Sequence, residues 1–232
     1  MKKPFYECSS FSKISLEQLF PTVSFSSVAI PDMSVNSDFF EDDPQHENLN
    51  LAGQRLARFQ AQHPDALLAN GYLEERSFYN TNRFKRTKNG ATEFRNIHLG
   101  TDFWLPARTP LHMPFDGEVV ISHHNDYHKD YGPLLVLAHQ IEETTFYTLY
   151  GHLSIDSLAR APKGKKFQQG ELFAYLGNEN ENGHWVPHLH FQLITDLLGA
   201  TENYNGVAFP SELARWKTLC PDPDLLFIES LH

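Results

Sequence analysis

The feature that most restricts this chain is a series of short β-type segments, beginning near Tyr72, cut apart by turn residues. Residues 118–122, 134–139, 145–150, 172–176 and 188–194 are the clearest of them. Asp116-Gly117, Tyr131-Gly132-Pro133, Lys163-Gly164, Gly170 and Gly177-Asn178 stand at the breaks, all of them turn material. Strands so closely spaced, with little helix between them, imply a mainly β core built as an antiparallel sheet or sandwich.

The N-terminal third reads differently. Residues 16–20 and 49–69 have helix-like spacing, and in the second Leu51, Leu56, Phe59 and Leu67 recur on intervals compatible with one helical face. Pro64 ends or restarts that helix. Residues 34–50 are polar and acidic, with Glu41-Asp42-Asp43 among them, and read as a loop. The expected organisation is a partly helical extension over 1–71, a β domain over 72–202 and a covering segment over 203–232, with no internal repeat.

At 232 residues the chain is long enough to bury a core without disulfides. Cys8 and Cys220 fit no metal-binding spacing. The formal charge of -10 makes nucleic acid a poor partner, since phosphate contacts need clustered Lys and Arg. It also gives no electrostatic help towards an anionic membrane or wall. Arg83, Lys85, Arg86 and Lys88 form a small basic stretch, which suits either a solvated loop or an anionic substrate. No segment is long and apolar enough to span a bilayer, so no integral membrane contact is expected. The first residues carry positive charge without the apolar run of a signal peptide. The expectation is a cytoplasmic protein as written, periplasmic or secreted if a leader has been removed.

The string most telling of chemistry is His188-Leu189-His190-Phe191-Gln192-Leu193. Alternate side chains of a strand share a face, so His188 and His190 point the same way. Two imidazoles on one face suit zinc. His98 and Asp102 stand four apart with Gly100 between them, a glycine that permits a bend or a close backbone approach. Imidazole and carboxylate are both zinc ligands, and the same pair also fits a hydrogen-bonded turn. In Tyr150-Gly151-His152 the histidine follows an expected strand, where a lone histidine is more often a packed or surface residue than a catalytic one.

In order along the chain, His98-Leu99-Gly100-Thr101-Asp102, Tyr150-Gly151-His152 and His188-Leu189-His190-Phe191 resemble the motifs of the lysostaphin/LytM-type zinc metallopeptidases, best known as peptidoglycan endopeptidases. The stretches 109–120 and 169–177 look alike too, and the resemblance covers about residues 89–195. It implies a duplicated-hybrid-motif-like β fold, one zinc ion on His98, Asp102 and His190, and His152 with His188 as the catalytic pair. Three protein ligands leave one coordination position open, as at a catalytic rather than a structural zinc. Gln192 departs from the family, where many relatives carry an acid, and the polar run 178–187 is longer than usual there. His112, His123, His124, His128, His139 and His184 match no motif and read as surface or packing residues, with His184 nearest the catalytic strand.

The function implied is hydrolysis of peptide bonds, in peptidoglycan cross-links or muropeptide-like peptides. A cytoplasmic zinc amidohydrolase or peptidase on a small non-wall substrate is the alternative, and a catalytically silent binding module the third. The N-terminal loop near Asn48 and Asn50 is a candidate to reach the metal and hold the enzyme latent.

Overall fold

A computed structural model describes residues 3–40, 43–88 and 90–231. Met1, Lys2, Glu41, Asp42, Asn89 and His232 lie outside the described residues, and with them most of the acidic Glu41-Asp42-Asp43 cluster.

In chain order the strands are β1 (Ser27–Ala29), β2 (Ala66–Asn70), β3 (Lys85–Lys88), β4 (Ala91–Phe94), β5 (Ile97–His98), β6 (Thr101–Trp104) and β7 (Pro110–His112). They continue with β8 (Gly117–Asn125), β9 (Gly132–Ile141), β10 (Thr144–Gly151), β11 (Lys166–Phe167), β12 (Leu172–Tyr175), β13 (Leu189–Ile194) and β14 (Val207–Ala208). The helices are α1 (Leu16–Leu19), α2 (Leu49–Gln62), α3 (Ile155–Arg160) and α4 (Leu213–Leu219). The main sheet has eight strands in the order β1-β2-β6-β13-β10-β9-β8-β11, antiparallel throughout except for the β1–β2 pair.

The five strands expected from the turn pattern all form, with ends shifted by a few residues. Alternation then assigns their faces. On β9, Leu135 and Leu137 join one buried cluster and Leu134 and Val136 the other, so the sheet is covered on both sides. The first cluster also takes Phe5, Leu16, Leu19 and Phe20 from the N-terminal segment and Leu226 and Phe227 from the C-terminal one.

Residues 49–69 form a helix only as far as Gln62. Asn48 caps its N-terminus by accepting a hydrogen bond from the Leu51 amide at 3.1 Å. Two residues beyond its end, Pro64 denies the helix a further N–H, and Ala66–Asn70 run on as β2. Helical spacing was misleading there because Leu67 and Leu68 are buried on opposite faces of a strand. The extension thus adds β1 and β2 to the main sheet, next to β6.

The register across β2, β6, β13 and β10 builds the site. Asn70 lies opposite Asp102, Asp102 opposite His190, and His190 opposite Gly151, one row across four strands. A second pairing, Val207 with His98, ties the C-terminal segment to β5.

Candidate active site

β13 divides its side chains by alternation. Leu189, Phe191 and Leu193 enter the first apolar cluster, while His190 and Gln192 face the other way. His188, just before the strand, is aimed like His190, with its Nε2 3.9 Å from the Asp102 carboxylate. β5 and β6 are joined through Leu99 and Gly100. A Cβ on Gly100 would lie 2.5 Å from the Phe191 carbonyl oxygen and 2.9 Å from the His190 ring, so only glycine lets this turn approach β13.

The sequence-expected residues His98, Asp102, His152, His188 and His190 are all buried, and the fold brings them together. His98 Nε2 and His190 Nδ1 are 2.8 Å apart. Asp102 Oδ1 lies 3.3 Å from the first and 3.2 Å from the second. His152 and His188 pack beside them, their rings tilted by 41° with centroids 4.2 Å apart.

Hydrogen bonds at the rim fix which nitrogen of each ring carries the proton. His98 Nδ1 donates to the Gly71 carbonyl at 3.0 Å, leaving Nε2 as a lone pair. Gln192 donates its amide N–H to the Asn205 carbonyl and the Cys220 sulfur. Its Oε1 is therefore an acceptor, and His190 Nε2 donates to it at 2.9 Å, leaving Nδ1 bare. His152 Nδ1 donates to the Asn182 carbonyl at 2.8 Å and His188 Nδ1 to the Val186 carbonyl at 2.7 Å.

Three acceptors therefore converge with no proton to share. Asp102 Oδ1 is buried and makes no hydrogen bond. Such an arrangement is repulsive unless a cation sits among them, and the donor set fits zinc. Bonds of about 2.0–2.2 Å to nitrogen and oxygen in a tetrahedral site put ligand atoms roughly 3.3 Å apart. His98, Asp102 and His190 could thus hold a metal.

A buried arginine borders this corner. Arg76, fully buried, donates from Nη1 to Asp102 Oδ2 and from Nε to Glu74 Oε2 at 2.7 Å. Burial alone would push the Asp102 carboxyl up, but His98 and the Arg76 guanidinium outweigh it and hold the group well below the usual carboxylate range. Burial, then Arg76, lowers His98 to about 3. Burial lowers His188 to about 4, and burial with His188 nearby depresses His152 too. Rings so placed are neutral at pH 7.

Sequence reasoning missed the parts that hold these groups. Trp104 stacks on His188 with centroids 4.5 Å apart, and its Nε1 donates to Asn70 Oδ1 at 2.8 Å. Arg76 and Glu74 had no motif around them, and only their proximity in the fold reveals them. Tyr131 was read only as part of the turn Tyr131-Gly132-Pro133, and its hydroxyl is buried with no partner. Asn48, the candidate to reach the metal, is occupied as a helix cap. His46 is the N-terminal residue that comes near, buried among Phe40, Phe78, Trp104 and Trp185 with no hydrogen bond to either nitrogen. Run 178–187 lines the cleft as expected, through Trp185. His184, with His128 and Glu47, forms a separate exposed group of potential ligand atoms within 4.8 Å of one another.

A cavity of about 270 Å³ opens beside His152 and His190, bounded by Tyr79, Arg95, Lys129, Tyr131 and Trp185.

The antiparallel β core, with histidines gathered around one aspartate, is the arrangement that the motif resemblance to lysostaphin/LytM-type peptidases implies. Residues 96–203, just under half of the chain, match peptidase family M23. The chain is 36% identical over 98 residues to the peptidoglycan DD-endopeptidase ShyA of Vibrio cholerae, a match that takes in 42% of this chain and 20% of the relative. It therefore spans about a fifth of the length of that curated relative. Among solved structures, a zinc-containing peptidase from Vibrio cholerae shares 29% identity over 47% of this chain and 30% of that one, with a TM-score of 0.36. The catalytic domain of lysostaphin from Staphylococcus simulans shares 19% over 56% and 84%, with a TM-score of 0.35. Among the described residues no helix is long and apolar enough to cross a membrane.

Proposed function

We propose that the chain is a zinc-dependent endopeptidase acting on peptidoglycan cross-links or muropeptide-like peptides, with one zinc ion on His98, Asp102 and His190. The observation that carries this reading is the convergence of three unprotonated acceptors, His98 Nε2, His190 Nδ1 and Asp102 Oδ1, within 3.3 Å of one another. Zinc bound there would supply Lewis acidity towards a carbonyl and a water acidic enough to attack near neutral pH. The protein does the rest. His152 and His188 keep Nδ1–H on backbone carbonyls and so present neutral Nε2 atoms to the cleft. One accepts the proton of the attacking water and the pair hands a proton to the leaving amine. The unpartnered Tyr131 hydroxyl is free to donate to the substrate carbonyl oxygen as charge builds on it. Trp104 and Trp185 shield the histidines from bulk water.

The test is metal content together with hydrolysis of cross-linked muropeptides, in the wild type and in His152→Ala. One bound zinc per chain and a large loss of turnover are expected. Equal turnover in the two proteins sinks the reading.

A second reading keeps the chemistry and changes the substrate to a small, non-wall peptide or amide in the cytoplasm. The cavity of about 270 Å³ favours it, since that volume takes one or two residues rather than an extended strand. Cell fractionation and a panel of short peptides separate the two. Secretion, with cleavage confined to muropeptides, removes the second.

A further inference from the structure

The chain carries a formal charge of -10, yet the cavity beside the histidines is lined by Arg83, Arg95 and Lys129 against a single carboxylate, Asp130. Asp130 is already engaged by the Arg83 guanidinium. Three arginines away from the cavity sit on carboxylates: Arg76 on Glu74 and Asp102, Arg86 on Glu93 and Glu212, Arg108 on Asp156. Arg95 is different. Its half-buried guanidinium is held by the neutral Asn205 side chain, donating from Nη1 to Oδ1 at 2.8 Å, with the Phe84 ring 5.5 Å from Cζ. Lys129 is 6% exposed, and its ammonium donates to the His46 and His184 carbonyls at 2.6 and 3.0 Å while resting 4.0 Å from the centre of the Trp185 ring.

Among the described residues neither Arg95 nor Lys129 has a carboxylate within ion-pair reach. Neutral partners hold the two groups in place, and the carboxylates that act on them, Glu47 and Asp43 on Lys129 and Asp130 on Arg95, do so from beyond ion-pair distance. Burial penalises an uncancelled charge, and it lowers the proton affinity of both side chains, that of Lys129 to about 8. A protein with a surplus of acids has every opportunity to pair them, so the charge left over faces something that is not part of the chain.

We propose that this cavity is an oxyanion subsite in which Arg95, supported by Lys129 and Arg83, takes a carboxylate or phosphate group on the substrate residue next to the cleaved bond. The subsite rests on the peptidase reading for its substrate and names the class that reading leaves open: anionic peptides. Arg95 is the principal contact, because a guanidinium presents a planar fork to an oxyanion and Asn205 takes only one of its two Nη groups. Of the four basic residues in 83–88, only Arg83 lines the cavity, while Arg86 is tied to Glu93 and Glu212.

The test uses zinc-loaded full-length protein and three matched peptides, carrying glutamate, phosphoserine or glutamine beside the cleaved bond. At least one anionic peptide is expected to exceed the glutamine peptide by about 10- to 100-fold in kcat/KM, mostly through KM. Which of the two leads separates carboxylate from phosphate. Arg95→Gln should bring that ratio close to one, and Arg95→Lys, which keeps the charge, should retain much of it. Equal turnover of all three peptides by the wild type overturns the subsite, as does a ratio undiminished in Arg95→Gln. Should Arg95→Gln fail to fold, the ratio in the wild type and its dependence on salt decide, since a charge contact must weaken as salt rises. If the wild type cleaves none of the peptides, the peptidase reading has failed. The same peptides then serve as plain ligands in calorimetry, where tighter binding of an anionic one upholds the subsite and equal binding overturns it.

Discussion

Two kinds of hydrogen-bonded buried histidine occur among the described residues, and the contrast between them separates architecture from chemistry. His139, on β9, uses both ring nitrogens inside the fold: Nδ1 donates to the Asp116 carbonyl at 2.8 Å and Nε2 meets the Thr148 hydroxyl at 2.7 Å. His98, His152 and His188 each spend one nitrogen on a backbone carbonyl, and His190 spends one on Gln192. The nitrogens left over on His98, His188 and His190 lie within 3.9 Å of Asp102 Oδ1, and the His152 ring packs against His188. Burial is equal in the two cases. What differs is whether the protein completes the hydrogen bonding itself or leaves acceptors gathered for something from outside.

The harshest way to break this contrast is to remove one histidine of each kind. On the proposed assignment His190→Ala loses the bound zinc and about a thousandfold or more in turnover, while His139→Ala keeps one zinc per chain and loses stability instead. Atomic absorption alongside a peptide assay reads both. A His190→Ala protein that still binds zinc stoichiometrically would defeat the assignment. His188→Ala comes next: zinc is retained and turnover falls by about 10²–10⁴-fold, the range for losing a positioned acid or base. If zinc went with His188, that residue would be a ligand and not a proton carrier.

A gentler pair of substitutions acts on the groups that hold the rings. Gln192→Leu frees His190 to rotate and should weaken zinc by about 10- to 100-fold, measured by competition with a chelator. Thr148→Val removes the corresponding partner of His139 and should cost about 1–3 kcal/mol of stability with zinc affinity unchanged. Equal zinc affinity in wild type and Gln192→Leu would show that the register of the sheet, and not Gln192, orients His190.

Much of this was legible in the sequence, for reasons that differ by residue. The period of two in His188-Leu189-His190 survives folding, because a strand buried on both faces must keep its alternation. Gly100 was readable as a close approach because glycine has few other reasons to stand between two polar residues of one turn. Arg76, Trp104 and Tyr131 were not legible. Arg76 reaches Asp102 across 26 residues of chain, Trp104 meets His188 only through the pairing of β6 with β13, and Tyr131 lies beside His190 only in the folded chain. The helical reading of 66–69 failed because two neighbouring leucines fit a helix face as well as a strand buried on both sides. Gln192, noticed only as a departure from the family, proves to be the group that fixes the His190 tautomer.

The smallest effect lies in the dependence of stability on pH, and it isolates the structural histidine. Burial lowers His139 to about 4 in the folded protein, against an ordinary value of 6.5 when unfolded. Between those limits the unfolded chain binds the proton and the folded chain does not. The contribution of His139 is therefore fully present above pH 6.5 and is lost as pH falls towards 4, on the order of 1 kcal/mol per pH unit. Urea unfolding from pH 4 to 8, in wild type and His139→Leu, should give curves that run parallel above pH 6.5 and converge below it. Saturating zinc suppresses the share of His98, whose free nitrogen it occupies on the proposed assignment, and leaves the difference between wild type and His139→Leu intact. If zinc abolished that difference, His139 would be coupled to the metal corner, and the division between the two kinds of histidine would fail.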